Sequence, residues 1–157
     1  MTQTETPVIG LDLSLTSTGI AMPDGSTDVI SVNQKDVLRL ISLRNAIMEK
    51  INQYKHPIVV LEGYSFAQRN SNAHSLGELG GVVKTALVEA DCTLVVVAPT
   101  QRAKFATGKG NASKAEVVSS ISARTGIVWS GKGADDKVDA WILREMALTA
   151  MDGNLAS

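Results

Sequence analysis

Apolar positions follow two different periods along this chain, and the alternation between them marks out its elements. Val8 to Leu13, Gly19 to Met22 and Thr27 to Val32 are short apolar or β-branched runs, separated by Ser, Thr and Gly and by the turn-forming Pro23-Asp24-Gly25. They predict an antiparallel meander. A helical period follows in Val37, Leu40, Ile41, Ile47, Met48 and Ile51, with Asp36 placed to cap it and a break at His56-Pro57. Ile58 to Glu62 reads as a buried strand. A polar loop over Gly63 to Asn72 leads to a second helix whose apolar face is Leu76, Leu79, Val82, Val83, Ala86 and Leu87. Thr93 to Ala98 reads as another buried strand, ended by Pro99. Beyond it the pattern predicts a short helix over Gln101 to Ala106, a helix capped by Ser113 that carries Val117, Val118 and Ile121, and a last helix from about Ala134 to Met151. The tail after Gly153 is expected to fray.

This order predicts an α/β fold, a mixed five-stranded sheet with an antiparallel part and a parallel part, covered by helices on both faces. A doubly wound dinucleotide fold would alternate strand and helix from the start. The 157 residues, 44% apolar and 20% charged, are the size and composition of one globular domain, expected to span 1–157. No internal repeat or low-complexity tract interrupts them. The longest apolar stretches, Ile58 to Leu61 and Leu94 to Ala98, are strand-sized and far below the roughly 20 residues of a membrane span. The first residues, Met-Thr-Gln-Thr-Glu-Thr-Pro, lack the charge and apolar run of a secretory signal, and a lone cysteine forms no internal disulfide. A cytoplasmic protein without a membrane partner is expected.

A net charge of −1 argues against an indiscriminate nucleic-acid coat, but the distribution is uneven. From Gln101 to Gly133, Arg102, Lys104, Lys109, Lys114, Arg124 and Lys132 face only Glu116, whereas Met1 to Gln34 hold Glu5, Asp12, Asp24 and Asp28 and no lysine or arginine. Asp12 and Glu62 each end an apolar strand pattern, where an isolated carboxylate is costly unless something offsets its charge. A capping or solvated role is the ordinary reading for either one alone. Asp136 and Asp139 stand i, i+3 on one face of the last helix, and the helix dipole accounts for Asp135 and Asp136 more readily than for Asp139, one turn further in. Four carboxylates from two strand ends and a helix start could converge on hard divalent cations such as Mg²⁺, and no His/Cys pairing suggests zinc. Two such ions suit phosphodiester hydrolysis. Thr107-Gly108-Lys109-Gly110 and Ser130-Gly131-Lys132-Gly133 do not fit the phosphate-loop spacing, and serve either as phosphate clamps or as simple turns.

The constellation resembles the RuvC-like Holliday junction resolvases, within the RNase H-like nucleases. Four motifs in order carry the likeness: Ile9-Gly10-Leu11-Asp12-Leu13-Ser14 with Thr18-Gly19-Ile20-Ala21; Val60-Leu61-Glu62 with Ser75-Leu76-Gly77-Glu78-Leu79-Gly80-Gly81-Val82; Pro99-Thr100-Gln101-Arg102-Ala103-Lys104 with Gly108, Gly110 and Lys114; and Asp136-Lys137-Val138-Asp139-Ala140. The compact length is similar to that of phage-encoded members. The resemblance implies a metal-dependent endonuclease that nicks four-way DNA junctions symmetrically. Asp12, Glu62, Asp136 and Asp139 would hold two Mg²⁺ ions, for which Mn²⁺ can substitute, while Lys104 and Lys114 would act near the scissile phosphate. Tyr64 and Phe66 match an aromatic wedge that enters the junction, and Arg69, Arg102, Lys109 and Lys132 would add DNA contacts. The implied assembly is a homodimer, with Leu76, Val82, Val83 and Leu87 as interface or core.

Three rival readings share parts of this pattern. Other RNase H-like nucleases, acting on RNA:DNA hybrids or structured RNA, carry the same acids, but the Asp136-x-x-Asp139 ending and Lys104 and Lys114 favour the resolvase branch. Gly10 to Ser17 also resembles the first hairpin of sugar kinases and actin-like ATPases, which need two such domains. A non-catalytic DNA-binding module would gain nothing from four acids that repel phosphate.

Overall fold

A computed structural model describes residues 5–63 and 72–156. Strands β1 (Val8–Asp12), β2 (Thr18–Ala21) and β3 (Thr27–Ile30) form the meander, followed by α1 (Asp36–Ile51), β4 (Ile58–Glu62), α2 (Asn72–Glu89) and β5 (Thr93–Val97). Three helices complete the described chain: α3 (Pro99–Thr107), α4 (Lys114–Thr125) and α5 (Ala134–Ala156). The five-stranded sheet has the order β3-β2-β1-β4-β5. β1 pairs antiparallel with β2 and parallel with β4, and β4 pairs parallel with β5, so the meander and the crossover strands join at β1. The predicted mixed sheet is the observed one.

Alternation along the central strands sends successive side chains to opposite faces. On one face Ile9, Leu11, Val59 and Leu61 meet Leu40, Leu43, Ile47 and Ile51 of α1 and Leu79, Val83 and Leu87 of α2 in the principal core. Each large side chain buried there contributes about 1.5–3 kcal/mol. On the other face Val8 and Val60 pack against Leu143 and Ala147 of α5. A third cluster, Ala106, Val117, Ile121, Val138 and Ile142, ties α3 and α4 to α5. Helices therefore cover both faces, as expected. No described helix is long and apolar enough to cross a membrane.

Four local expectations are corrected. Asp36 does not cap α1: Lys35 holds that position without a side-chain cap, and Asp36 is the first helical residue, with φ of 54°. Its charge still lies in the first turn, where the helix dipole favours it. Val37 and Ile41 point outward, and the buried face is carried by Leu40, Leu43, Ile47 and Ile51. β5 is not a buried strand, because it lies at the sheet edge and Val96 remains 52% exposed. Finally, α5 runs past Gly153 to Ala156 instead of fraying. The Ser113 cap, by contrast, is present, its hydroxyl accepting from the Glu116 amide at 3.2 Å.

Candidate active site

Two parallel strands deliver the first pair of acids. β1 and β4 run in register with Val8 beside Ile58 and Leu11 beside Leu61, so Asp12 and Glu62 fall at the next step, at the ends of both strands. Both share the parity of Val8 and Val60 and so lie on the α5 face. The β1–β2 turn is closed by Thr18, whose hydroxyl donates to the Ser14 carbonyl at 2.8 Å and accepts from the Ser14 amide at 3.1 Å. That holds Leu13 and Ser14 at the rim beside Asp12.

The other two acids arrive on α5, and glycine permits the close approach. A Cβ on Gly10 would stand 1.9 Å from the Ala140 carbonyl oxygen, and one on Gly19 would stand 2.1 Å from that of Asp136. Gly19 is also the register partner of Asp12. The helix backbone thus rests directly on β1 and β2, which sets Asp136 and Asp139 over Asp12. Arg144 stitches the same helix down, donating Nε to the Val8 carbonyl at 3.2 Å and Nη2 to the Pro23 carbonyl at 2.5 Å.

These groups line one cleft of about 450 Å³: Asp12, Glu62, Asp136 and Asp139, with Arg102, Lys84 and Lys114 as its cations and Ser14 and Gly63 at its rim. Asp12 keeps some surface open to the cleft but is surrounded elsewhere. Burial first, then the charges of Asp139, Glu62 and Asp136, push its carboxyl well above the usual range. Asp136 is raised by partial burial and, further, by the neighbouring charge of Asp135. Burial lifts Asp139 to about 6 even though Arg102 pulls it down. Arg102 reaches from α3 to bridge two of the acids, donating Nε to Glu62 Oε2 and Nη1 to Asp139 Oδ1. Burial works against its charge, but Asp139 and Glu62 hold the guanidinium protonated more firmly than usual. For Lys114, too, burial is outweighed, here by Asp135, whose carboxylate lies 3.4 Å away in an exposed pair.

The donor set is all oxygen, and burial together with neighbouring negative charge raises Asp12 and Asp139, a state that a hard divalent cation relieves. On that chemistry the residues fit a Mg²⁺-type ion. Among the described residues, no three acidic, histidine or cysteine side chains stand in a finished metal cage. Arg102 takes oxygens of Glu62 and Asp139 instead.

The predicted residues separate into three groups. Asp12, Glu62, Asp136, Asp139, Lys114 and Arg102 meet in the cleft. Lys104, Lys109 and Lys132 are exposed and do not line it. Tyr64, Phe66 and Arg69 lie outside the described residues. Val83 and Leu87, offered as interface or core, are fully buried core, and Leu76 packs on its margin. Sequence reasoning missed Lys84, embedded in the apolar pattern of α2, and gave Arg102 a peripheral role. The phase of α3 decides that second point, because residues two apart on a helix differ by about 200°. Ala103 and Ala106 fix the buried side, leaving Arg102 toward the cleft and Lys104 toward solvent.

Residues 8–140 match the family model described as crossover junction endodeoxyribonuclease RuvC. A crossover junction endodeoxyribonuclease RuvC from Nocardia farcinica (strain IFM 10152) is 28% identical over 140 residues, covering 82% of this chain and 74% of its own length. RuvC of T. thermophilus in complex with a Holliday junction substrate superposes with a TM-score of 0.75 at 20% identity, covering 95% of this chain and 97% of its own. The fowlpox virus resolvase bound to Holliday junction DNA gives 0.56 at 14% identity, with 93% and 99% covered. For the yeast mitochondrial Holliday junction resolvase the values are 0.54, 16%, 88% and 76%. At these identities the structural likenesses speak to the fold.

Proposed function

Because the chain belongs to the RuvC crossover junction endodeoxyribonuclease family, we infer that it is a nuclease that resolves Holliday junctions, and we propose that the carboxylate cleft is where it cuts. The observation that carries this reading is the convergence of Asp12, Glu62, Asp136 and Asp139, from three separate segments, into one cleft flanked by cations. The family depends on divalent metal, and two Mg²⁺ ions, replaceable by Mn²⁺, are assigned to these four side chains. Bound there, they would activate a water and stabilise the leaving oxygen of an in-line attack on a phosphodiester. The protein's own groups do the positioning. The backbone contacts at Gly10 and Gly19 fix the acids relative to one another before substrate arrives, which avoids reorganisation at the moment of reaction.

Lys114 and Lys84 place positive charge where a phosphate must enter, and Arg102 supplies a planar fork suited to two phosphate oxygens. Lys104, Lys109 and Lys132 are assigned to the DNA backbone beyond the cleft, where contacts add salt-sensitive affinity and position the duplex. Tyr64 and Phe66 are assigned to stacking on bases at the branch point, with Arg69 on a nearby phosphate. A homodimer with two cuts on opposed strands is proposed as the assembly. The outer side of α2, where Gly77 and Gly81 leave open space, offers a surface for it.

Cleavage of a synthetic four-way junction, a linear duplex and an RNA:DNA hybrid of matched sequence, each in Mg²⁺, tests the reading. Paired symmetric nicks in the junction with little cutting of the others are expected. Preferential cutting of the hybrid would transfer the chain to the RNA-directed branch of the fold.

A further inference from the structure

Arg102 bridges two of the four carboxylates assigned to the ions, and it does so with both edges of its fork, Nε on Glu62 and Nη1 on Asp139 at 2.5 Å. The three side chains are only 15%, 21% and 12% exposed, so the pairing is shielded from solvent. A guanidinium has donors and no acceptor, and its charge persists at any working pH. Each carboxylate oxygen that accepts from it is withdrawn from the set a metal could use.

The helix that carries Arg102 is not free to retreat. Pro99 starts α3, the Ala98 amide donates to Gln101 Oε1 at 2.8 Å, and Gly108 ends the helix with φ of 85°. The Ser120 hydroxyl donates to the Ala106 carbonyl at 2.7 Å, and Ala103 and Ala106 are buried. Any release must therefore come from the side-chain torsions of Arg102 itself. Lys84 and Lys114, the cations assigned to phosphate, line the same cleft.

We propose that Arg102 is a tethered competitor of the divalent cation: it neutralises Glu62 and Asp139 while metal is absent, and metal binding displaces it toward the substrate phosphate. This rests on the assignment of metal to the cleft made above. Loading of metal and capture of DNA are then coupled through one side chain. If the bridged form holds about nine-tenths of the metal-free population, it weakens apparent metal affinity about tenfold.

Arg102→Gln tests this in the full-length protein, with Mn²⁺ binding followed by titration calorimetry and with thermal melts in EDTA and in Mn²⁺. The variant is expected to bind Mn²⁺ about tenfold more tightly than the unmutated protein and to melt lower in EDTA, with the gap closing in Mn²⁺. Arg102→Lys, which keeps the charge but loses the fork, should fall between the two and covers the case in which Arg102→Gln does not fold. Lys104→Gln, removing a charge from the exposed side of the same helix, should leave affinity within about twofold. Unchanged or weaker Mn²⁺ binding by both Arg102 variants while the unmutated protein binds would overturn the competitor role and leave the metal assignment standing. Failure of the unmutated protein itself to bind divalent metal would remove the assignment and the competitor together.

Discussion

The two faces of the sheet use the same strands in opposite ways. Toward α1 and α2, the central strands present Ile9, Leu11, Val59 and Leu61, all essentially inaccessible to solvent and surrounded by aliphatic side chains. Toward α5 they present Val8, Gly10, Asp12, Val60 and Glu62, a sequence that passes from apolar packing through a bare backbone contact to charge. The first face stores stability in volume, and its side chains can be exchanged for others of similar size. The second depends on a distance: α5 must lie close enough for its acids to meet those of the strands. Folding energy from one face holds the other in an arrangement that like-charge repulsion would otherwise open.

Substitutions that separate the faces sharpen this contrast. Gly10→Ala places a carbon into the Ala140 carbonyl, so α5 must lift from the sheet; several kcal/mol of stability, on the order of 3, should be lost together with junction cleavage. Ile47→Ala, in the opposite core, should cost about 2–5 kcal/mol yet leave the cleavage rate per folded molecule unchanged. Denaturant titration paired with single-turnover cleavage distinguishes the two. Equal loss of activity per folded molecule in both variants would erase the division.

The acid face should also set the pH response in EDTA. Asp139 binds its proton up to about pH 6 in the folded protein against 3.8 ordinarily, and Asp12 is raised as well. The folded state therefore holds more protons than the unfolded one between these values. This contribution to stability is fully present below about pH 4 and is lost as pH rises through about 6, for Asp139 on the order of 3 kcal/mol. Asp28, held below its usual range first by the Val29 amide, works in the opposite sense, so the informative quantity is the difference between the unmutated protein and Asp139→Asn. The melting temperature of the variant should fall less over that window. A parallel fall would mean that Asp139 does not carry the effect. The smallest effect belongs outside the cleft: Lys104→Ala should weaken junction binding by roughly two- to fivefold at low salt and less at high salt, as measured by fluorescence anisotropy.

The sheet and its acids were legible because period-two alternation fixes which side of a strand a residue occupies. Asp12 and Glu62 stand out where an apolar run ends in charge, and the Ser113-x-x-Glu116 cap is a local signal read locally. What stayed hidden depends on neighbours distant in sequence. An apolar run such as Thr-Leu-Val-Val-Val does not show whether another strand will flank it, so the edge position of β5 was unreadable. The bridge from Arg102 to Glu62 and Asp139 depends on the phase of α3 and on the position of two other elements. Arg144 and Lys84 sit in apolar helical patterns, where a single charge resembles an exposed position until the partner carbonyls or the cleft are in place.

Single-turnover cleavage of a four-way junction by the unmutated protein and by Asp12→Asn, each with Mg²⁺ and with EDTA, bears most directly on the central claim that the α5 face is a metal-dependent cutting site. The unmutated protein should nick opposed strands in Mg²⁺ only, and Asp12→Asn should be slower by at least about a thousandfold while still binding the junction. Undiminished cutting by Asp12→Asn, or by the unmutated protein in EDTA, would contradict it.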